Sequence, residues 1–288
     1  HLKELVGGAL SFYAAAAVAK TGGVHIFVAE DRDAAAYLLN DFYNLLDEKQ
    51  VYFFPSSYKR SAAYGAEDAQ GVVQRTTAMN AVRGFTKGYL VVCTYPEALA
   101  ERVVDAATLQ RDTIAVKLGD KISIAVLEDA LADANFTRVD FVYEPGQYSV
   151  RGGIVDVFSY SESKPYRIDF FGDEVDSIRR FNISSQLSAD KLDRVEIVPN
   201  LNAGEAPRVS FVQFAGSSAT CWFYDADYVL RRVNDLRRKV LADMEEPGQI
   251  DRLLTSRNVL LRDMAGNSVV ALRDNLPERP ATAAVVFD

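Results

Sequence analysis

Four carboxylate side chains lie within one short stretch of the sequence, at Asp169, Asp173, Glu174 and Asp176. Two carboxylates beside an arginine can carry out general acid–base chemistry. Their spacing does not match a calcium-binding loop. The stretch has the pattern of two strands and a turn, where carboxylates usually lie on a solvated edge, and we favour that interpretation. An unrelated α/β enzyme that uses these acids stays open as an alternative.

An arginine and a phenylalanine fall on the predicted outer face of the first of these strands. In Tyr166–Phe171 every second side chain from Tyr166 onward is apolar and suits a core. Arg167, Asp169 and Phe171 fall on the opposite face, and about 13 Å of strand separates the arginine from the phenylalanine. Aromatic and arginine side chains together are typical of protein interfaces. A single exposed phenylalanine is also common without any function, so the alternation alone leaves both interpretations open.

A pair of glycines, Gly7-Gly8, precedes an alanine-rich segment and is a candidate phosphate-binding loop. Such a loop needs a lysine that reaches the phosphate oxygens and a serine or threonine that holds magnesium. No lysine occurs between Glu4 and Lys20. Phe12-Tyr13 fills space where small residues are needed. We therefore expect a plain glycine turn that binds neither a nucleoside triphosphate nor another cofactor.

Composition and charge narrow the classes of function. The chain has 288 residues, is 49% hydrophobic and carries a net charge of −8, so it can form two or three domains but is a poor general binder of nucleic acid. Two cysteines and two histidines offer no zinc signature. No apolar run reaches the ~18 residues of a membrane span. We expect Cys93 to be a buried thiol and the protein to be cytoplasmic.

One basic run lies on a predicted helix near the end of the chain. It consists of Arg231, Arg232, Arg237, Arg238 and Lys239. We interpret the run as a solvated helix face balanced by nearby acids such as Asp235 and Asp243. Contact with nucleic acid or with an acidic partner is the alternative.

The order of predicted elements divides the chain into three segments. Residues 1–110 alternate helix and strand, which predicts a parallel sheet covered on both faces. Residues 111–198 change to one strand, one helix and then only strands and turns, which predicts a compact α+β domain. Residues 199–288 mix both types. The chain ends inside the apolar run Ala283–Phe287, which led us to expect a fragment of a longer protein.

Element predictions follow from periodicity and from capping residues. The predicted helices are Leu5–Lys20, Asp31–Asp47 with Asp31 near its N-cap, Glu67–Arg83, Lys121–Asn135 and Asp225–Met244. The predicted strands outside 136–198 are Val24–Ala29, Val51–Phe54, Tyr89–Thr94, Thr113–Leu118, Val209–Phe214, Thr220–Tyr224, Asn258–Arg262, Ser268–Leu272 and Ala281–Phe287.

The central segment contains two motifs that resemble a known family. Tyr148–Phe158 is YSVRGGIVDVF and Pro165–Arg179 is PYRIDFFGDEVDSIR. They resemble the RGG(I/L)(V/L)D(V/L)F and RIDFFGDE(V/I)(D/E)SI signatures shared by UvrB and the bacterial transcription-repair coupling factor. Gln186-Leu187-Ser188 is similar to the T/S-Q-x-S stretch that follows them in the family. The resemblance extends over essentially the whole chain, although only residues 140–190 carry motifs of this specificity.

Two departures favour the coupling factor over UvrB itself. UvrB uses ATP and needs the phosphate loop that is missing here. UvrB also has a tyrosine-rich hairpin that clamps DNA, and Pro55–Gly65 is too short and too poor in aromatics for it. The resemblance therefore implies a degenerate helicase-like parallel-sheet domain, α/β in class, with an inserted smaller α+β domain. An active UvrB-like, ATP-dependent DNA-damage-binding protein is the alternative.

The resemblance also implies a partner and the residues that bind it. In the family, the second domain binds UvrA through an Arg, Arg, Phe set, which corresponds to Arg151, Arg167 and Phe171 here. It implies a non-catalytic recruitment module, without metal or cofactor, in transcription-coupled nucleotide excision repair. RNA polymerase and DNA would be bound by regions of the parent protein outside this chain, and no membrane would be involved.

Overall fold

The computed structural model of the chain describes residues 8–58, 68–202, 206–244 and 246–271. The α-helices in chain order are α1 (Ala9–Thr21), α2 (Arg32–Leu45), α3 (Ala69–Gly84), α4 (Pro96–Ala100), α5 (Ala106–Asp112), α6 (Ile124–Asp133), α7 (Phe211–Ala215), α8 (Ala226–Asp243), α9 (Ile250–Leu253) and α10 (Arg257–Asp263). The strands are β1 (Gly23–Val28), β2 (Val51–Phe53), β3 (Tyr89–Thr94), β4 (Val103–Val104), β5 (Ile114–Lys117), β6 (Thr137–Arg138), β7 (Gln147–Arg151), β8 (Ile154–Val157), β9 (Tyr166–Phe171), β10 (Glu174–Phe181), β11 (Ser188–Leu192), β12 (Arg194–Ile197), β13 (Arg208–Val209), β14 (Thr220–Phe223) and β15 (Ser268–Ala271).

The chain divides into two compact units. The first consists of His1–Asp105 and Ala206–Asp288, and the second is the intervening Ala106–Glu205. The second unit is thus an insertion in the sequence of the first.

A five-stranded parallel sheet in the order β15-β14-β1-β3-β2 forms the centre of the first unit. Strands β1 and β3 are nearly continuous apolar runs, GVHIFV and YLVVCT, as parallel strands covered on both faces require. On one face, Phe27 of β1 stacks on Trp222 of β14 with ring centroids 4.9 Å apart and meets Phe42 of α2 at 4.7 Å. Ala14, Ala15 and Val18 of α1 belong to the same buried cluster. These contacts bury the alanine-rich helix against the sheet.

Polar caps define where several helices begin. The Asp31 carboxylate accepts a hydrogen bond from the Ala34 amide at 2.8 Å, which confirms its predicted place at the start of α2. Asp225 caps α8 in the same way through the Tyr228 amide at 2.9 Å. Helix α1 spans Ala9–Thr21 with Gly8 as its N-cap, and its predicted start at Leu5 lies outside the described residues.

Two predicted strands of the first unit are wrong. Asn258–Arg262 belongs to α10, which the Ser256 hydroxyl caps by accepting from the Val259 amide. In Val209–Phe214 the two-residue strand β13 is followed at once by α7, which Ser210 caps through the Gln213 amide. In both places a serine N-cap satisfies a free helix amide, and the short apolar run follows helical spacing. The predicted strand Ala281–Phe287 lies outside the described residues.

The second unit is a six-stranded sheet with one helix on it. Its order is β11-β10-β9-β8-β7-β6, antiparallel except for the β6–β7 pair. Leu127 and Leu131 of α6 pack with Val155, Ile168 and Ile178 on one face of the sheet. The antiparallel pair of β5 and β12 adds Val116 and Val195 to this core. The core therefore lies on one face of the sheet only.

The predicted fold class is confirmed. The chain is α/β, a helicase-like parallel-sheet domain with a smaller α+β domain inserted in its sequence. No helix in the described part of the chain is long and apolar enough to cross a bilayer.

A candidate partner-binding face

Strand β9 alternates as its sequence predicts. Tyr166 and Ile168 are buried in the core, whereas the Phe171 side chain is 84% exposed at the end of the strand. Gly172, at φ +62°, forms the turn into β10, a backbone conformation that glycine adopts without strain. The hairpin thus presents an aromatic ring to solvent at the tip of an ordered sheet.

Strand register places both predicted arginines on the same outer face as Phe171. Arg167 lies opposite Asp156 of β8, and Arg151 lies opposite Ile154, which in turn lies opposite Asp169 of β9. Directly opposite residues in antiparallel strands share a face. We call the surface formed by Arg151, Asp156, Arg167 and Phe171 the Arg–Phe face.

Two glycines shape the turn that follows Arg151. Gly152 has φ +60°, in the left-handed region that favours glycine. The Gly153 carbonyl accepts from the Phe170 amide at 2.7 Å, and a Cβ at Gly153 would lie 3.0 Å from the Phe170 carbonyl oxygen. The Gly-Gly pair therefore lets the turn pack directly against β9, the strand that carries Phe171.

The two arginines of the face share one carboxylate. Arg167 donates from Nε to Asp156 Oδ1 at 2.7 Å and from Nη2 to Oδ2 at 2.8 Å. Arg151 donates from Nη2 to the same Oδ2 at 2.6 Å. The Asp156 side chain is only 2% exposed. Charge-assisted pairs of this kind are the strong hydrogen bonds of proteins, and the fork on Arg167 fixes its orientation.

Arg167 lies deeper in the face than Arg151. Its side chain is 15% exposed, against 37% for Arg151. Its guanidinium lies 4.3 Å from the centre of the Phe181 ring, and its Nη2 donates to Gln186 Oε1 at 3.2 Å. The hydrogen bonds to Asp156 raise the pKa of Arg167, although burial opposes that shift. This arginine is therefore held as a structural cation within the face.

Arg151 borders the edge of the sheet. Its Nη1 donates to the Asp140 carbonyl at 3.2 Å, and its guanidinium lies 4.8 Å from the centre of the half-exposed Phe141 ring. Its remaining donors point to no acceptor among the described residues. Arg151 is the arginine of the pair that is better placed to meet another molecule.

The carboxylates considered for catalysis do not converge. Asp169 accepts from the Ser177 hydroxyl at 2.5 Å and from Arg179. Asp173, Glu174 and Asp176 are exposed at the tip of the hairpin. No group of His, Cys, Asp or Glu side chains in the described ranges is arranged to hold a metal ion. The favoured interpretation, a solvated edge, fits this arrangement.

Other sequence candidates lie in the first unit. Cys93 and Cys221 are buried, as predicted for Cys93, and burial raises the pKa of the Cys93 thiol. Gly8 is the N-cap of α1, whereas Gly7 lies outside the described residues.

Three of the five basic side chains in the run on α8 pair with carboxylates among the described residues. Arg232 pairs with Glu97 at 2.6 Å, Arg237 with Asp251 at 2.5 Å, and Arg238 with Asp235. Of the two acids named from the sequence, Asp235 pairs with Arg238, whereas Asp243 has no ion pair among the described residues; Glu97 and Asp251 come from other elements. This arrangement is typical of a solvated helix face.

Sequence reasoning missed Asp156 as a member of the Arg–Phe face and Gln186 as a hydrogen-bond partner of Arg167. The signal for Asp156 was a single acid inside the apolar strand IVDV, where an unpaired charge would be costly. Gln186 adopts φ +58° in the turn before β11, and no periodicity in the sequence indicates that its side chain reaches Arg167. That both residues contact Arg167 follows only from the pairing of the strands in the folded structure.

The comparisons with known proteins agree with this architecture. Residues 114–202 match the family described as "UvrB interaction domain". The match lies within the second unit and includes the whole Arg–Phe face.

The curated relatives share one description. The chain is 27% identical over 199 residues to the "Transcription-repair-coupling factor" of Bacillus subtilis, covering 69% of this chain and 17% of that protein. The same figures hold for the Escherichia coli protein of that name. The Haemophilus influenzae protein is 35% identical over 101 residues, covering 35% of this chain and 9% of the relative. The chain thus spans about a sixth of the length of the first two relatives.

The segment that carries the exposed aromatic and the paired arginines is the segment that matches the family. Residues 114–202 match the UvrB interaction domain family, and the chain is similar to the N-terminal region of transcription-repair-coupling factors.

Proposed function

We propose that the Arg–Phe face binds UvrA, and that the chain is a non-catalytic recruitment module of transcription-coupled nucleotide excision repair. The observation that carries the proposal is Phe171, 84% exposed at the end of an ordered strand and on the same face as two arginines. The domain family is described by its interactions, and the relatives are named for coupling transcription to repair. Both descriptions suit a recruitment role.

The chemistry of the face supports an interface. An aromatic ring contributes apolar area at little cost in conformational entropy, and a neighbouring guanidinium can bind a carboxylate through two parallel hydrogen bonds. Such residues dominate interface energetics when the surrounding contacts exclude water. Phe171 would enter an apolar depression on UvrA while the arginine cluster faces an acidic group.

The parent protein would have functions that this chain does not carry. It would engage RNA polymerase and DNA through regions outside the 288 residues and use its own ATPase there. In the cytoplasm the module would then bring UvrA to the stalled transcription complex. Within this chain we propose no catalysis, because the residues around Gly7-Gly8 lack the lysine of a phosphate loop.

Calorimetric titration of the chain with UvrA tests the proposal. We expect the wild type to bind and Phe171→Ala to lose about 2 kcal/mol of binding free energy, roughly a 30-fold weaker Kd. Arg151→Ala should weaken binding as well. Tyr37→Ala is a matched control, because Tyr37 is an aromatic residue that is 76% exposed on α2 of the first unit.

The outcomes separate the proposal from its alternatives. Unchanged affinity in both Phe171→Ala and Arg151→Ala, with correctly folded proteins, would refute the Arg–Phe face as the site. Saturable ATP binding to the chain would contradict the non-catalytic role and favour the UvrB-like alternative.

A further inference from the structure

We propose that Asp156 is a positioning residue of the Arg–Phe face, which locks Arg167 in place and leaves Arg151 as the single arginine that pairs with a partner carboxylate. The inference rests on the proposed binding of UvrA and concerns the division of labour within that site. It differs from the expectation that both guanidiniums pair equally with the partner.

The donors of Arg167 are almost fully used inside the domain. A guanidinium has five N–H groups. In Arg167, Nε–H and one N–H of Nη2 donate to the Asp156 carboxylate. The other N–H of Nη2 donates to Gln186 Oε1 at 3.2 Å, and Nη1 donates to the Gln186 carbonyl at 3.4 Å. One N–H group is left over. Arg167 therefore cannot form a bidentate pair with a carboxylate of another molecule unless it breaks its hydrogen bonds to Asp156.

Arg151 has more unused N–H donors than Arg167. It donates once to Asp156 and once to the Asp140 carbonyl, so three of its N–H groups have no acceptor among the described residues. Its side chain is also the more exposed of the two. A partner carboxylate can therefore approach Arg151 along a face that is still open.

The charge balance of the cluster is compatible with one partner carboxylate. Asp156 carries one negative charge against two positive ones, so the triad retains one net positive charge. The neighbouring pair of Asp169 and Arg179 is neutral as a unit. A partner with one carboxylate opposite Arg151, beside an apolar depression for Phe171, complements this surface.

Asp156 also keeps two like charges close together on the sheet. Its side chain is 2% exposed and bonds to both guanidiniums. Without the carboxylate, the guanidiniums would repel each other and lose their shared anchor, and both would sample other rotamers. Binding would then have to reorder them, which lowers affinity.

The test compares Asp156→Asn with a matched loss of another arginine partner. Asparagine keeps the size of the side chain but removes the charge. Glu128→Gln is the control, because Glu128 pairs with Arg138 at 2.6 Å and lies on α6, which covers the opposite face of the sheet. We expect Asp156→Asn to weaken UvrA binding at least about tenfold and Glu128→Gln to change it less than about twofold.

A double-mutant cycle and a spectroscopic signal separate positioning from a general structural effect. The loss caused by Asp156→Asn should largely disappear when Arg151→Ala is already present. In NMR spectra of the unbound wild type, the Arg167 Nε–H resonance should be protected from exchange with water, whereas that of Arg238, which is 75% exposed and pairs through Nη2, should not. Asp156→Glu, which keeps the charge, should retain more affinity than Asp156→Asn.

Each outcome bears on a separate claim. If Arg151→Ala and Phe171→Ala weaken binding but Asp156→Asn does not, the positioning role is refuted and the binding face stands. An unprotected Arg167 Nε–H in the wild type refutes the positioning role even if Asp156→Asn fails to fold. If none of the variants changes affinity, the proposed function fails first.

Discussion

His25, on the residue scale, is held in one tautomer by hydrogen bonds with Trp222 of β14 and with Gly22 at the end of α1. The Trp222 Nε1–H donates to His25 Nδ1 at 3.0 Å, so Nδ1 must be unprotonated. The Nε2–H then donates to the Gly22 carbonyl at 2.8 Å. Burial lowers the pKa of His25, and a proton on Nδ1 would oppose the indole N–H directly. The neutral ring is therefore the form that the folded state stabilises.

Protonation of His25 should make the stability of the first unit depend on pH. Because the pKa is lower in the folded state, the unfolded chain binds the proton first as the pH falls below about 6.5. The contribution of His25 to the free energy of unfolding is fully present above that pH. It decreases as the pH falls further, by at most about 1.4 kcal/mol per pH unit.

Urea unfolding at pH 7.5 and 5.5 measures this dependence. In His25→Gln the side chain can still accept and donate but does not titrate, so the stability difference between the two pH values should shrink relative to the wild type. An equal difference in the two proteins would show that other groups cause it.

On the scale of single elements, capping decided what periodicity could not. Strand β3 was predicted with its observed bounds, because Tyr89–Thr94 is a buried apolar run. The apolar runs at Asn258–Arg262 and Val209–Phe214 were predicted as strands, yet a serine begins a helix in each. Apolar runs of this length fit a strand as well as a helix, and the serine cap selects the helix in both places.

The cap at Asp31 gives a prediction on the scale of an element. Asp31→Ala removes the acceptor for the Ala34 amide and should lower the free energy of unfolding by about 1 kcal/mol. Asp33→Ala serves as a control, because Asp33 lies in the first turn of the same helix without being its cap. Urea denaturation measures both, and a larger loss in Asp33→Ala would contradict the capping role.

On the scale of the whole molecule, each unit has its own buried core. In the second unit the core combines α6, the β5–β12 pair and one face of the six-stranded sheet. The first unit is centred on its parallel sheet and on the stacked Phe27 and Trp222. A domain with its own core can in principle fold alone.

The excised segment Ala106–Glu205 should therefore fold independently. We expect one cooperative unfolding transition by circular dichroism and an affinity for UvrA within about threefold of that of the whole chain, since the Arg–Phe face lies within the segment. Phe171→Ala in the segment controls for specific binding. An unfolded segment, or a folded one that does not bind, would show that the first unit contributes to the fold or to the site.

The sequence by itself determined the fold class and most of the elements, and it indicated Arg167 and Phe171, because the period-2 alternation of a strand assigns each side chain to a face. Arg151 joined these candidates through the family resemblance. Only the tertiary structure decided that the arginines are unequal. Asp156 and Gln186 reach Arg167 from β8 and from the turn before β11, and pairing between distant segments is not encoded in any local pattern.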